Sequence, residues 1–232
     1  MSLNIYIPYS LERDIFKGEE LKFAIRSIEK YLSGWEDIIL IGTPPGWFTG
    51  TVIEANDIPN KKEESIYRKM LIAAQIEKDR LFVMWHDDHF LLKKLKCLEI
   101  YYWHDGPLKE YKNGSARYQT TVNNTLAVYP DALNFDVHAP IVLAPKVVRD
   151  LDIMKDGEMC FKTSYCEFMG LMGPQMEDLK LNHWLPKEEI KTLIEGRLFF
   201  STGTLFSIET GKESVLELLK ELYPKKSKFE RV

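Results

Sequence analysis

The apolar positions fall into short continuous runs and helical stripes that alternate over the first 85 residues. Asn4-Ile5-Tyr6-Ile7-Pro8 reads as a first short strand, ended by Pro8, which has no N–H for a central ladder. From Glu19 to Leu32, Leu21, Ala24, Ile25, Ile28, Tyr31 and Leu32 recur at helical spacing, with Lys22, Arg26, Glu29 and Lys30 elsewhere on the turn. This is the pattern of a surface helix covering a sheet, stopped by Ser33-Gly34. Ile38-Ile39-Leu40-Ile41-Gly42 reads as a second buried strand running into the turn Thr43-Pro44-Pro45-Gly46, and Thr51-Val52-Ile53-Glu54 as a weaker third. Glu63 to Lys78 is again helical, with Ile66, Tyr67, Met70, Leu71 and Ala74 on one face. It feeds Leu81-Phe82-Val83-Met84-Trp85, too short for a helix and bounded by charge, hence a fourth buried strand. The order predicts an α/β fold in one domain, a mainly parallel sheet flanked by helices.

Beyond His89 the pattern loosens. Residues 93 to 133 mix basic clusters, the aromatics Tyr101, Tyr102 and Trp103, and a polar run from Gln119 to Thr125, which suits a binding insert better than core. Ile141 to Ala144 predicts a further strand, 146 to 151 a short helix, Leu198 to Ser201 a late strand, and Val215, Leu218, Leu219 and Leu222 a final helix.

The fourth strand runs directly into His86-Asp87-Asp88-His89. Ligands of open α/β sheets bind beyond the carboxyl ends of the strands, so this is where chemistry is expected. Two carboxylates beside imidazoles suit Mg²⁺ or Mn²⁺ shared with a substrate diphosphate, since such an ion takes one or two protein carboxylates and completes its shell with phosphate oxygens and water. An isolated Asp-Asp more often caps a turn; the strand end and the flanking histidines tip the balance toward a ligand role for Asp87 and Asp88. His138, in Asn134-Phe135-Asp136-Val137-His138-Ala139-Pro140, is by itself a packed histidine, and becomes a metal ligand or general base only if it folds back onto Asp88. Lys162, with Lys69, Arg68 and Arg26 more distant, is a candidate for neutralising phosphate. His104 reads as a turn residue, and Trp103, Tyr101 and Trp184 are the aromatic platforms a glycan would use.

Composition removes whole classes of function. A formal charge of −4 argues against a general nucleic-acid binder, while leaving room for a local basic groove. Three cysteines without Cys-x-x-Cys spacing indicate neither a disulfide framework nor structural zinc, and point to a reducing, cytoplasmic setting. No run approaches the ~20 apolar residues of a membrane span, and no basic-then-apolar leader is visible. There is no phosphate-binding Gly-rich loop, dinucleotide fingerprint or Gly-x-Ser-x-Gly elbow, which leaves metal-assisted chemistry on a charged substrate.

Glu20-Leu21-Lys22-Phe23-Ala24-Ile25-Arg26-Ser27-Ile28-Glu29-Lys30, followed by Trp35 and Ile38 to Gly42, resembles the opening of the Stealth family of capsular-polysaccharide sugar-phosphate transferases. His86-Asp87-Asp88-His89-Phe90 is similar to the family's Asn-Asp-Asp block, with His86 in place of Asn. The stretch 134–140 resembles its later His-x-Pro block, Phe161-Lys162-Thr163-Ser164-Tyr165 the block after that, and Tyr223 to Glu230 the tails of compact members. The resemblance implies a nucleotide-diphospho-sugar transferase (glycosyltransferase A-type) fold, with a nucleotide-binding half at 1–92 and an acceptor-binding half at 93–232. It implies Asp87 and Asp88 on metal and diphosphate, His138 as a catalytic residue or metal ligand, and Lys162 on phosphate, where relatives usually carry Arg. The family's Trp-Val-Asp-Gly signature is missing from the first strand, so sugar transfer from a nucleotide-sugar to a glycan or other hydroxyl acceptor is expected ahead of sugar-1-phosphate transfer. A metal-dependent phosphohydrolase and a non-catalytic glycan-binding protein are the other readings.

Overall fold

The computed structural model describes residues 2–12, 17–112, 114–153, 158–181, 185–202 and 209–231, with the side chains of 209–213 left out. The strands are β1 (Leu3–Ser10), β2 (Leu32–Ser33), β3 (Trp35–Thr43), β4 (Thr51–Ile53), β5 (Phe82–Met84), β6 (His89–Leu91), β7 (Leu95–Lys96), β8 (Ile141–Leu143), β9 (Lys180–Leu181) and β10 (Phe199–Thr202). The α-helices are α1 (Glu19–Tyr31), α2 (Lys62–Glu77), α3 (Ala116–Val128), α4 (Pro145–Asp150), α5 (Phe161–Met169), α6 (Lys187–Ile194) and α7 (Glu209–Leu222).

The central sheet has the order β4-β3-β1-β5-β8, parallel except for β8, which runs antiparallel to β5. Both faces are buried, so its strands read as continuous apolar runs while their side chains alternate between two cores. Leu3, Ile5, Ile7, Tyr9, Ile38, Leu40 and Val83 face α1. Tyr6, Ile39, Ile41, Phe82 and Met84 face the layer of α2, α4 and α5. Each fully buried Leu, Ile or Phe contributes roughly 1.5–3 kcal/mol, and most of those among the described residues pack in the two cores on either side of the sheet.

Pro8 does not end its own strand. β1 continues to Ser10 against β3, whereas pairing with β5 stops at Tyr6↔Met84, and Pro8, two residues on, has no N–H to offer that side. Nor is α1 a surface helix. Leu21, Ile25 and Ile28 meet the central sheet, but Phe23 and Ala24 enter a second core with Phe90, Phe200, Leu218 and Tyr223, so α1 lies between two layers. The outer layer is a three-stranded sheet, β6-β10-β9, backed by α6 and α7.

The polar stretch expected as an irregular insert contains α3. Ser115 caps it by accepting from Tyr118 N, and the hydroxyls of Thr121 and Thr125 bond back to Arg117 O and Thr121 O, which lets two polar side chains sit buried beside Val122. Residues 161–169, which carry no clear helical stripe, form α5, whose first six residues are all buried and therefore show no polar face to betray it. Strand β8, from beyond residue 92, completes the sheet of the first half. Among the described residues, no helix is long and apolar enough to cross a membrane.

Candidate functional site

A cleft of about 340 Å³ opens where β5 ends. Topology explains why. The antiparallel β8 starts beside the end of β5, so the loop entering β8 and the turn leaving β5 meet at one sheet edge, and α2 begins there because it crosses back from β4.

The turn after β5 is clamped from below. Buried Trp85 donates its indole N–H to His89 O at 3.0 Å, and His89 N reaches His86 O at 3.4 Å, which leaves His86 and Asp88 on the cleft wall. His89 then enters β6. Its register partner on β10 is Ser201, whose partner on β9 is Lys180, so one row of the outer sheet places His89 and Lys180 on the same face. The rings of His86, His89 and His138 form a file, with centroids 4.9 Å apart in the first pair and 5.6 Å in the second.

His138 is the most constrained group in the cleft. Its backbone N–H donates to Asp178 Oδ1 at 2.9 Å and its ring Nδ1 lies 2.6 Å from Asp178 Oδ2, while Lys180 Nζ sits 3.1 Å from Nε2. A carboxylate only accepts, so Nδ1 carries the hydrogen and Nε2 presents its lone pair to Lys180 and the cleft. The neighbouring carbonyls of Val137 and Ala139 both accept from Lys162 Nζ, which ties the first turn of α5 to the same loop.

The cleft's polar groups shift one another. Burial, then the charges of Lys162 and Lys62, holds the His86 imidazolium well below its usual range; burial and His86 do the same to His89. Burial lowers Lys162 and Lys180 in spite of Asp136 and Asp88 nearby. Burial and the carboxylate of Asp136 push Glu63 up to about 7. At Asp178 burial works against ionisation, yet its hydrogen bonds to His138 leave the carboxyl below its ordinary value.

Of the residues expected from sequence, Asp88, His138 and Lys162 line the cleft together; Asp87 is not part of its wall. Three expected substrate contacts are elsewhere. Lys69 is buried in an ion pair with Asp57 at 2.8 Å and donates to Tyr9 O, Arg26 is bound through two nitrogens to Glu230, and Trp103 packs edge-on against Phe199 in the core. Each is held by a partner distant in sequence. Arg68 is exposed and paired with Glu64, and His104, expected in a turn, instead forms an isolated parallel bridge with Gln175, its Nδ1 accepting from Gly106 N. Trp184 and His183 lie outside the described residues. Sequence reasoning missed Asp178, Lys180, Lys62 and Glu63, none of which stands in a distinctive motif.

Among the described residues, no group of three or more His, Cys, Asp or Glu side chains is arranged to hold a metal ion. His138 is a poor ligand as placed, because one ring nitrogen is taken by Asp178 and the other faces an ammonium group. Asp88, a quarter exposed and 3.5 Å from His89 Nε2, fits an ion whose remaining ligands come from a bound diphosphate and water. The two-metal cluster a phosphohydrolase of that type needs is not found among the described residues.

No family model matches the chain. No curated protein matches it. Among solved structures it is similar to the inositol-1-phosphate CTP transferase from T. maritima, at 10% identity, over 95% of this chain and 97% of that one, with a TM-score of 0.48.

Proposed function

We propose that the protein is a nucleotide-sugar-dependent transferase, moving a sugar to a glycan or other hydroxyl acceptor. The observation that carries the reading is the Asp178–His138 pair, with ring Nε2 on the side of Lys180 in a cleft that also holds Lys62 and Lys162.

His138 Nε2 accepts the proton of the acceptor hydroxyl as its oxygen attacks the anomeric carbon; the bond from that carbon to the diphosphate breaks, and the nucleoside diphosphate leaves with the electron pair. Asp178 holds the ring in the productive tautomer and stabilises the imidazolium that forms. Lys180 exchanges Nε2 for a phosphate oxygen when substrates enter, and Lys162 and Lys62 add positive charge on the same side. The lysines do not suffice alone, because four carboxyls, Glu63, Asp88, Asp136 and Asp178, share the cleft with them. A donor diphosphate entering without a counter-cation would leave the cleft with an excess of negative charge. Mn²⁺ or Mg²⁺ beside Asp88 would supply the missing charge and act as a Lewis acid on the diphosphate.

The resemblance to the Stealth family supplies a second reading, attack at phosphorus with release of nucleoside monophosphate. Product identity separates the two. The test is thermal unfolding of the purified protein with nucleotides and nucleotide-sugars, each with Mn²⁺ and with chelator, followed by product analysis for the nucleotide that binds. A ligand at about 100 times its Kd stabilises the native state by ~2.7 kcal/mol, a readable rise in midpoint. A metal-dependent rise with one nucleotide family is expected; no rise with any would sink the proposal.

A further inference from the structure

A second cavity, of about 790 Å³, lies at the other edge of the molecule. Trp35 on its wall opens β3, at the amino ends of the parallel strands, whereas the cleft sits beyond the carboxyl end of β5. Its remaining walls are α1 (Arg26, Glu29, Lys30) and the tail from Tyr223 to Lys228.

The tail is fixed in place. Glu230 takes the guanidinium of Arg26 through Nε and Nη2, at 2.6 and 2.7 Å, and Arg26 Nη1 donates to Tyr223 O. Phe229 stacks on Phe48, Thr49 N donates to Phe229 O, and Arg231 N to Trp47 O. On this ordered frame Lys225, Lys226 and Lys228 are all exposed, with Lys30 across the cavity from them on α1. Lys228 Nζ lies 4.7 Å from the Trp35 ring centre, and Lys30 Nζ 5.8 Å from that of Tyr223. With Arg26 committed to Glu230, the cavity presents four ammonium groups against one carboxylate, that of Glu29, in a chain whose net charge is −4. Fixing so many like charges around one hollow, against the sign of the molecule, has a self-repulsion that a bound polyanion would relieve.

We infer that this cavity is a binding site for a ligand bearing clustered phosphate groups, separate from the cleft and independent of the proposed reaction. Ammonium groups on long stems suit phosphate as point charges, and several of them favour a polyphosphate or a multiply phosphorylated headgroup over a single carboxylate.

The experiment titrates the full chain with inorganic tripolyphosphate by calorimetry, at low and at physiological salt, and in parallel measures co-sedimentation with phosphatidylcholine vesicles, with and without a phosphorylated inositol lipid. The variants are Lys225→Ala/Lys226→Ala/Lys228→Ala together, and Lys180→Met in the cleft. Salt-sensitive binding that weakens at least tenfold in the triple variant and persists in Lys180→Met is the expected result; tighter binding to the phosphoinositide vesicles would identify the source as a lipid headgroup, and tighter binding to tripolyphosphate a soluble ligand. Binding lost in Lys180→Met but kept in the triple variant would assign the phosphate affinity to the cleft and overturn the inference. So would no binding of either probe. Lys225, Lys226 and Lys228 are exposed, and an unchanged unfolding midpoint verifies that each variant is folded.

Discussion

Asp178 holds His138 by two hydrogen bonds, one to the backbone N–H at 2.9 Å and one to ring Nδ1 at 2.6 Å. A single carboxylate thereby fixes the loop, the ring's orientation and its tautomer. Asp178→Asn can satisfy the backbone N–H, but its amide can also turn its N–H₂ toward the ring and stabilise the other tautomer, with Nε2 protonated. Turnover is expected to fall by about 10²–10⁴, the usual range for a lost general base, with KM for the donor little changed. The pH profile distinguishes this positioning role from a structural one: the acidic limb of kcat, where a general base takes up its proton, should move in Asp178→Asn and stay in place in a variant that only loosens the loop.

Asp88→Asn removes the cleft carboxylate to which the proposed cation is assigned. The expected outcome is loss of the metal-dependent part of nucleotide binding, with the chelator-insensitive part retained through Lys162 and Lys180. Unchanged metal dependence in the thermal midpoint would show that the ion, if bound, sits elsewhere.

Lys162→Met keeps the apolar stem and deletes the ammonium that serves Val137 O and Ala139 O. Val137 O keeps its bond from Ala139 N at 2.8 Å, whereas Ala139 O loses the ammonium, and a buried carbonyl left without a donor costs about 1–3 kcal/mol. Removing a desolvated charge returns part of that, so a modest net destabilisation in urea is expected, together with reduced turnover because the two carbonyls flank His138. Full activity at normal stability would contradict the role given to this lysine.

Stability should respond to pH in two opposing ways. His86 and His89 are depressed in the folded state, so the unfolded chain takes up protons first: their contribution is fully present above about 6.5 and is lost as pH falls toward their folded values. Glu63 is raised from 4.5 to about 7, so its contribution is present below 4.5 and is lost as pH rises through 7. Glu63→Gln should therefore be more stable than the parent at pH 8 and show no such advantage at pH 4. Denaturant midpoints of both proteins across this range check it; identical profiles would remove Glu63 from the account.

The strands β1, β3 and β5 and the helices α1 and α2 were legible because their sequences are locally consistent: continuous apolar runs for strands buried on both faces, and a periodic stripe for helices packed on them. The strand end at His86 to Asp88 was legible for the same reason, since the carboxyl edge of a parallel sheet follows from the order of elements. Lys69, Arg26 and Trp103 were misplaced because nothing near them in sequence reveals that Asp57, Glu230 and Phe199 engage them. A cation or an aromatic ring looks alike in a binding site and in a structural contact until its partner is known. Asp178 and Lys180 are the converse case. They stand in a short polar stretch with no periodicity, and acquire their roles only because β9 pairs with β10, which pairs with β6, bringing residues about ninety positions apart onto one face. Local propensity and hydrophobic period determined the framework; the pairing of distant strands, which no local pattern encodes, decided which side chains face His138.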